Sequence, residues 1–222
     1  MRPAKKVNSF DSLIRCLEKT HPDLIEIYHT YQKSTYPLVK IVLGKSNPRR
    51  VLISAGIHGD EPAGIETILS FLENKHYSSY TNNWEITLLP CINPHGYEYG
   101  IRENHDEKDL NRLFKEAQSV TEVSFAQSVF STPFELTIDL HEDSESSGYY
   151  LYQKGIDVKD DKIGFEIIDA IKNIMPINMD DEIDGTSADR GVIGKAIDIS
   201  KMDWWPMAIY GLSKGVDRCL TL

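Results

Sequence analysis

Short apolar runs of strand character alternate along this chain with segments whose apolar residues recur at helical spacing. Arg50 to Ala55 (RVLISA) ends at Gly56, and Glu61 to Glu73 follows with Ile65, Ile68, Leu69 and Leu72 three to four residues apart. Tyr36 to Leu43, Trp84 to Leu89, Glu135 to Leu140, Tyr149 to Tyr152 and Val216 to Leu222 read as further strands. Thr121 to Phe130, Ile163 to Ile174 and Asp203 to Lys214 read as helices, the last with Gly215 as its C-cap. Pro90 to Gly96 is turn-rich, and Asp180 to Ile193 is acidic and glycine-bearing, which predicts a loop. This alternation argues for an α/β sandwich around a largely parallel or mixed sheet. With 222 residues and no internal repeat or long linker, the chain is expected to form one domain over residues 1–222.

Charge narrows the partners. Lys and Arg number 24 against 34 Asp and Glu, a net charge of −10. Such a surface repels phosphate, so nucleic acid and anionic membranes are excluded as general partners. The apolar runs fall far short of the ~20 residues that span a bilayer. Lys5 and Lys6 precede no apolar stretch of secretory type. The odd count of cysteines (Cys16, Cys91 and Cys219) without CxxC spacing predicts reduced, buried thiols in a cytoplasmic protein.

Three groups of residues carry chemistry, and each follows a strand, where open α/β sheets place ligands. In His58-Gly59-Asp60-Glu61-Pro62, an imidazole and a carboxylate three residues apart can converge on one point across a tight turn. Taken singly, Glu61 also suits a helix's first turn and His58 the surface. Asp139-Leu140-His141 ends a strand, with Asp139 on the same face as His141 and able to hydrogen-bond behind it. Two imidazoles and one carboxylate form the three-ligand set of a hydrolytic zinc site, which polarises a carbonyl and acidifies water to a pKa of about 7. The cysteines lie near none of these residues, and no G-x-S-x-G supports a serine hydrolase. The third group is Asn93 to Tyr97, Gly100 to Asn104 and Asp109 to Arg112. Arg102 and Arg112 stand alone in an acidic stretch. They suit either an ion-paired surface loop or an inward pair, one on a substrate carboxylate and one on a developing oxyanion. Glu142, Asp143 and Glu145 read as a solvated face, and Trp204-Trp205 as core or the edge of a lid.

Taken together, HGDEP (58–62), NPHGY (93–97), GIREN (100–104), DLNR (109–112) and DLH (139–141) resemble the zinc carboxypeptidase family, including its succinylglutamate desuccinylase/aspartoacylase branch. The resemblance covers Arg50 to His141 well and the rest in outline. It implies that His58, Glu61 and His141 ligate Zn2+. Arg102 would polarise the scissile carbonyl and stabilise the tetrahedral intermediate, and Asn111 and Arg112 would hold the substrate's terminal carboxylate. The implied fold is a three-layer sandwich: a mixed, twisted sheet of about eight strands with helices on both faces. The implied activity is metallocarboxypeptidase cleavage of a peptide's C-terminal amide bond. The alternatives are an N-acyl amino acid deacylase and a non-catalytic zinc- and peptide-binding protein. NPHGY with an arginine soon after looks like the carboxypeptidase branch, which usually has Asp at the place of His95; DLNR followed by Phe114 is also found in the desuccinylase branch. Two features depart from the family. Its general base is a glutamate in a T-x-E pattern, which here would follow Leu222; without that group, acid–base catalysis forfeits about 10²–10⁴-fold. The chain is therefore expected to continue, with Glu142 a substitute only in a rearranged site. No tyrosine between Tyr152 and Tyr210 matches the family's lid residue, which leaves Tyr149 or Tyr150. Asp198 and Asp203 would favour a basic terminal residue.

Overall fold

The computed structural model describes residues 5–20, 25–28, 36–117, 119–155, 162–194 and 198–222. In chain order they form α1 (Phe10–Thr20), β1 (Ile25–Tyr28), β2 (Leu38–Leu43), β3 (Arg49–Ala55), α2 (Ala63–Glu73), β4 (Trp84–Leu89), α3 (Pro94–Tyr99), α4 (Thr121–Val129) and β5 (Leu136–Leu140). There follow β6 (Leu151–Gly155), α5 (Ile163–Ile171), β7 (Glu182–Ile183), β8 (Thr186–Ser187), β9 (Val192–Ile193), α6 (Met207–Ser213) and β10 (Arg218–Thr221).

Eight strands make one sheet in the order β1-β2-β4-β3-β5-β10-β6-β9. The inner strands β4, β3, β5 and β10 run parallel. The pairs β1/β2, β2/β4 and β10/β6 are antiparallel, so the sheet is mixed. Consecutive residues of the inner strands serve different cores. Val51 and Leu88 pack with Phe10, Leu13 and Leu17 of α1 and Ile65, Ile68 and Leu72 of α2. Their neighbours Leu52 and Leu89 pack with Val123 and Ala126 of α4 and Met207 of α6. That is the two-residue period of a strand, and burial on both faces explains apolar neighbours such as Val51-Leu52 and Leu88-Leu89. The fold is the expected three-layer α/β sandwich with helices on both faces.

Several boundaries differ from the sequence reading. α2 starts at Ala63 rather than Glu61, because Pro62 occupies the N-cap and His58 to Glu61 form the turn before it. α6 starts at Met207 because Pro206 disfavours helical backbone in the residue before it. The turn-rich stretch after β4 holds α3, whose Gly96 amide donates to the Asn93 side chain at 2.9 Å and whose first residue is Pro94. Asp180 to Ile193 contains the hairpin β7–β8 and strand β9. Asp184 and Gly185, with φ of 49° and 65°, make the tight turn that an Asp-Gly pair favours. Helix α1 was not anticipated. Cys91 and Cys219 are buried, whereas Cys16 is exposed; all three are free.

Candidate metal and substrate site

The parallel pairing of β3 with β5 sets Ala55 beside Leu140. The turn after β3 and the residue after β5 therefore leave the sheet together. That turn is held down by two backbone bonds, Ile92 N–H to the Ala55 carbonyl at 3.1 Å and Asn93 N–H to the Gly56 carbonyl at 2.7 Å. The result brings His58, Glu61 and His141 to one point. His58 Nδ1 lies 2.7 Å from Glu61 Oε1, and His141 Nδ1 lies 2.7 Å from Glu61 Oε2. One donor atom from each of the three residues falls within 4.8 Å of the others, and His58 is only 3% exposed.

Each histidine is braced from behind by a carboxylate. His58 Nε2 is 3.3 Å from Asp109 Oδ1, and His141 Nε2 is 3.0 Å from Asp139 Oδ2. Asp139 in turn accepts a hydrogen bond from the Ser54 hydroxyl at 2.8 Å, across the β3/β5 pairing. Metal-ligating histidines are fixed in this way, with one nitrogen toward the ion and the other on an acceptor. The charges agree. Burial disfavours the Glu61 carboxylate, but the hydrogen bonds from His141 and His58 outweigh it and hold the carboxyl at about 2. Burial likewise disfavours charge on His141, yet Asp139 and Glu61 push it up to about 10. His58 is raised against its burial by Asp109 and Glu61. Positive charge is thus favoured on both sides of Glu61. Two imidazole nitrogens and a carboxylate oxygen around that point suit zinc.

The arginines join this cluster. Arg102 Nη1 is 3.3 Å from Glu61 Oε1, and its Nε donates to Asp109 Oδ2 at 3.1 Å. Asp109 also accepts from the Asn111 amide at 3.0 Å, and the Arg112 Nη2 lies 3.9 Å from its Oδ2. Burial raises the Asp109 carboxyl, but His58, Arg102 and Arg112 draw it far below the carboxylate range. Asn111 is buried, and its Oδ1 accepts from the Met207 amide at 2.9 Å, which leaves the Nδ2 donors over for a ligand. Both arginines are therefore ion-paired, as one of the two alternatives had it, and their partners are Glu61 and Asp109.

Asp109 and Ser54 had been given no role from the sequence. The available signal was a carboxylate two residues before Asn111 within DLNR. Glu142 is not aimed at the cluster: its Oε1 accepts from the Ala63 amide at the start of α2 at 2.5 Å, and its own amide donates to Glu61 Oε2 at 3.2 Å. Asp143, read as solvated, accepts from the Tyr150 hydroxyl at 2.9 Å. Asp198 is engaged in its own turn with Ser200 and Lys201. His95 packs between the rings of Tyr99 and His105. Past β10, Leu222 donates to the Asp139 carbonyl and accepts from the His141 amide at 2.7 Å. Among the described residues, no helix is long and apolar enough to cross a membrane.

A family model of the succinylglutamate desuccinylase/aspartoacylase catalytic domain matches residues 47–193, a span that contains His58, Glu61, Arg102, Asp109, Asn111, Arg112, Asp139 and His141. The inactive metallocarboxypeptidase ECM14 of Paracoccidioides lutzii is 21% identical over 140 residues, which are 58% of this chain and 22% of that protein. The chain therefore spans only about a fifth of that relative's length. A candidate metallopeptidase of Shewanella amazonensis SB2B superposes with a TM-score of 0.81 at 21% identity, over 96% of this chain and 83% of that one. A metallo-carboxypeptidase of Pseudomonas aeruginosa in complex with (2-guanidinoethylmercapto)succinic acid gives a TM-score of 0.65 at 16% identity, over 97% and 60%. Likeness at these identities shows the fold, a carboxypeptidase-like α/β sandwich, while the family match covers more than half of the chain. This protein belongs to the succinylglutamate desuccinylase/aspartoacylase catalytic-domain family of metallohydrolases.

Proposed function

We propose that this protein is a zinc-dependent hydrolase that cleaves the amide bond next to a free carboxylate, releasing the C-terminal amino acid of a peptide. The observation that carries the reading is the reach of Asp109, which contacts His58, Arg102 and the Asn111 amide at once. The residues proposed as ligand, oxyanion cation and carboxylate anchor thus share contacts with one carboxylate, which supports the reading.

His58, Glu61 and His141 would hold the zinc ion, which when bound supplies a Lewis acid and acidifies water. The chain's own residues do the rest. Arg112 and the Nδ2 group of Asn111 bind the terminal carboxylate, and this fixes the adjacent amide bond over the ligand set. Arg102, already within 3.3 Å of Glu61, meets the negative charge that develops on the carbonyl oxygen. A donor so placed lowers the barrier by about 3 kcal/mol. Asp109 and Asp139 keep the imidazoles in the ligating orientation. The succinic acid compound in the Pseudomonas aeruginosa complex is a carboxylate ligand, which supports an anchor of this kind. Residues 1–222 would act as one catalytic domain in the cytoplasm.

A second reading is favoured by the family match: an N-acyl amino acid deacylase, with the same anchor holding the amino acid and a small acid on the acyl side. A third, non-catalytic zinc and carboxylate binding, is favoured by the engagement of Glu142 with α2. One experiment separates them. Zinc-loaded protein is given peptides with free and amidated C-termini, and N-succinyl and N-acetyl amino acids. Cleavage restricted to free C-termini supports the first reading, and equal cleavage of amidated peptides removes the anchor role of Asn111 and Arg112. Turnover of the acyl amino acids with peptides inert selects the second reading. Binding without turnover selects the third.

A further inference from the structure

Four contacts pin the segment Met202 to Met207 along the anchor-bearing stretch Asn111 to Lys115. Lys115 Nζ donates to the Met202 carbonyl at 2.6 Å. The Phe114 amide donates to the Trp205 carbonyl at 3.2 Å. The Met207 amide donates to Asn111 Oδ1 at 2.9 Å. Between them the Arg112 guanidinium lies over the Trp204 ring, 4.1 Å from its centroid. Trp204 is nonetheless 43% exposed, so the indole covers one face of the guanidinium and still presents surface to solvent.

This stack has two physical consequences. A guanidinium covered on its face meets acceptors only through its in-plane N–H groups, and the stack restricts the rotamers that binding would otherwise have to freeze. Nη1 of Arg112 donates to the Asn111 carbonyl at 3.2 Å and Nη2 lies 3.9 Å from Asp109 Oδ2, so a substrate carboxylate would share that edge with them. The exposed part of the indole, beside Arg112, is a large apolar surface next to the group that would receive a carboxylate. The carbon bearing that carboxylate is one bond from it, so its substituent falls within a side chain's reach of the ring.

We propose that Trp204 is a positioning and specificity-determining residue: it holds Arg112 edge-on to the substrate carboxylate and forms a wall for an apolar or aromatic substituent on the carbon that bears it. The inference rests on Arg112 as the carboxylate anchor. It names the substrate class as acylated amino acids or peptide termini with bulky apolar side chains, in place of the basic class that Asp198 and Asp203 had suggested.

Binding tests it without any need for turnover. Zinc-loaded protein is titrated calorimetrically with N-acetyl-L-phenylalanine, N-acetylglycine and N-acetyl-L-phenylalaninamide. The expected order is phenylalanine over glycine, with the amide weakest. Trp204→Ala weakens the phenylalanine derivative about tenfold and the glycine derivative less, so their ratio narrows. Trp204→Phe restores most of the ratio, which a merely structural role would not do. Zinc stoichiometry reports that each variant keeps its site, and Trp204→Leu, which keeps apolar bulk without the indole, reads the same ratio if the alanine variant does not fold. An unchanged ratio in Trp204→Ala, or equal losses for acid and amide, overturns the role of Trp204. A wild-type protein that binds acid and amide alike overturns the anchor instead, and the role of Trp204 with it.

Discussion

Asp109 is the residue on which the site's geometry turns. One carboxylate receives His58, Arg102 and the Asn111 amide, and so links three groups of which two, His58 and Arg102, also contact Glu61. Asp109→Asn keeps the size and removes the charge. It is expected to weaken zinc binding about 10–100-fold, the usual cost of losing the acceptor behind a ligating histidine. His141→Ala removes a ligand outright and is expected to lower zinc affinity further than Asp109→Asn does. Competition with a chromophoric chelator measures both. An unchanged affinity in His141→Ala would show that the three-residue ligand set is wrong.

At the scale of elements, the turn after β3 and the start of α3 form one unit. A Cβ on Gly59 would lie 1.8 Å from the Gly96 carbonyl carbon, so the two backbones meet where only glycine fits. Asn93 completes the joint. It is fully buried, caps α3 through the Gly96 amide, and donates from Nδ2 to the carbonyls of Arg102 and Glu103 at 3.1 Å each. The stretch that carries Arg102 therefore hangs on the same side chain that starts the helix. Asn93→Ala loses the cap and leaves two carbonyls without this donor, at a cost of about 2–4 kcal/mol. Urea denaturation followed by circular dichroism reads this directly; a loss below about 1 kcal/mol would mean that Asn93 does not join the two elements.

Over the whole molecule, the N-terminal segment is tied to α3 through Glu98. The Val7 and Asn8 amides donate to the Glu98 carbonyl at 2.9 and 3.3 Å. The Glu98 carboxylate, buried, receives Lys6 at 2.8 Å and the hydroxyl of Tyr36. Burial alone would raise this carboxyl, yet Lys6 and Tyr36 hold it below its ordinary value of 4.5. A carboxyl depressed in the folded state contributes stability above its unfolded value and loses it as pH falls through the folded one. The attachment of residues 5–9 is thus expected to be complete at pH 7 and to weaken only below pH 4.5. Hydrogen exchange of the Val7 and Asn8 amides between pH 7 and pH 3.5 checks this. In Glu98→Gln that acid-dependent loosening is expected to disappear.

Much of the fold was legible because the inner strands are buried on both faces. Short, largely apolar runs such as WEITLL and RVLISA read as strands, and their alternation with Ile65-Ile68-Leu72 spacing points to helix on sheet. The candidate ligand residues His58, Glu61 and His141 were legible as motifs because they follow strand ends, where position and chemistry coincide. Boundaries at Pro62 and Pro206 were missed because proline's effect on its neighbours competes with the apolar period. What the chain order alone could not contain is the meeting of distant residues: Asp109 with His58, Met207 with Asn111, Trp204 with Arg112. Local propensity says nothing about such contacts. They exist because the turn after β3 is bonded to the stretch after β4, through Ile92 to Ala55 and Asn93 to Gly56, and because the segment leading into α6 packs against the loop that bears Asn111 and Arg112.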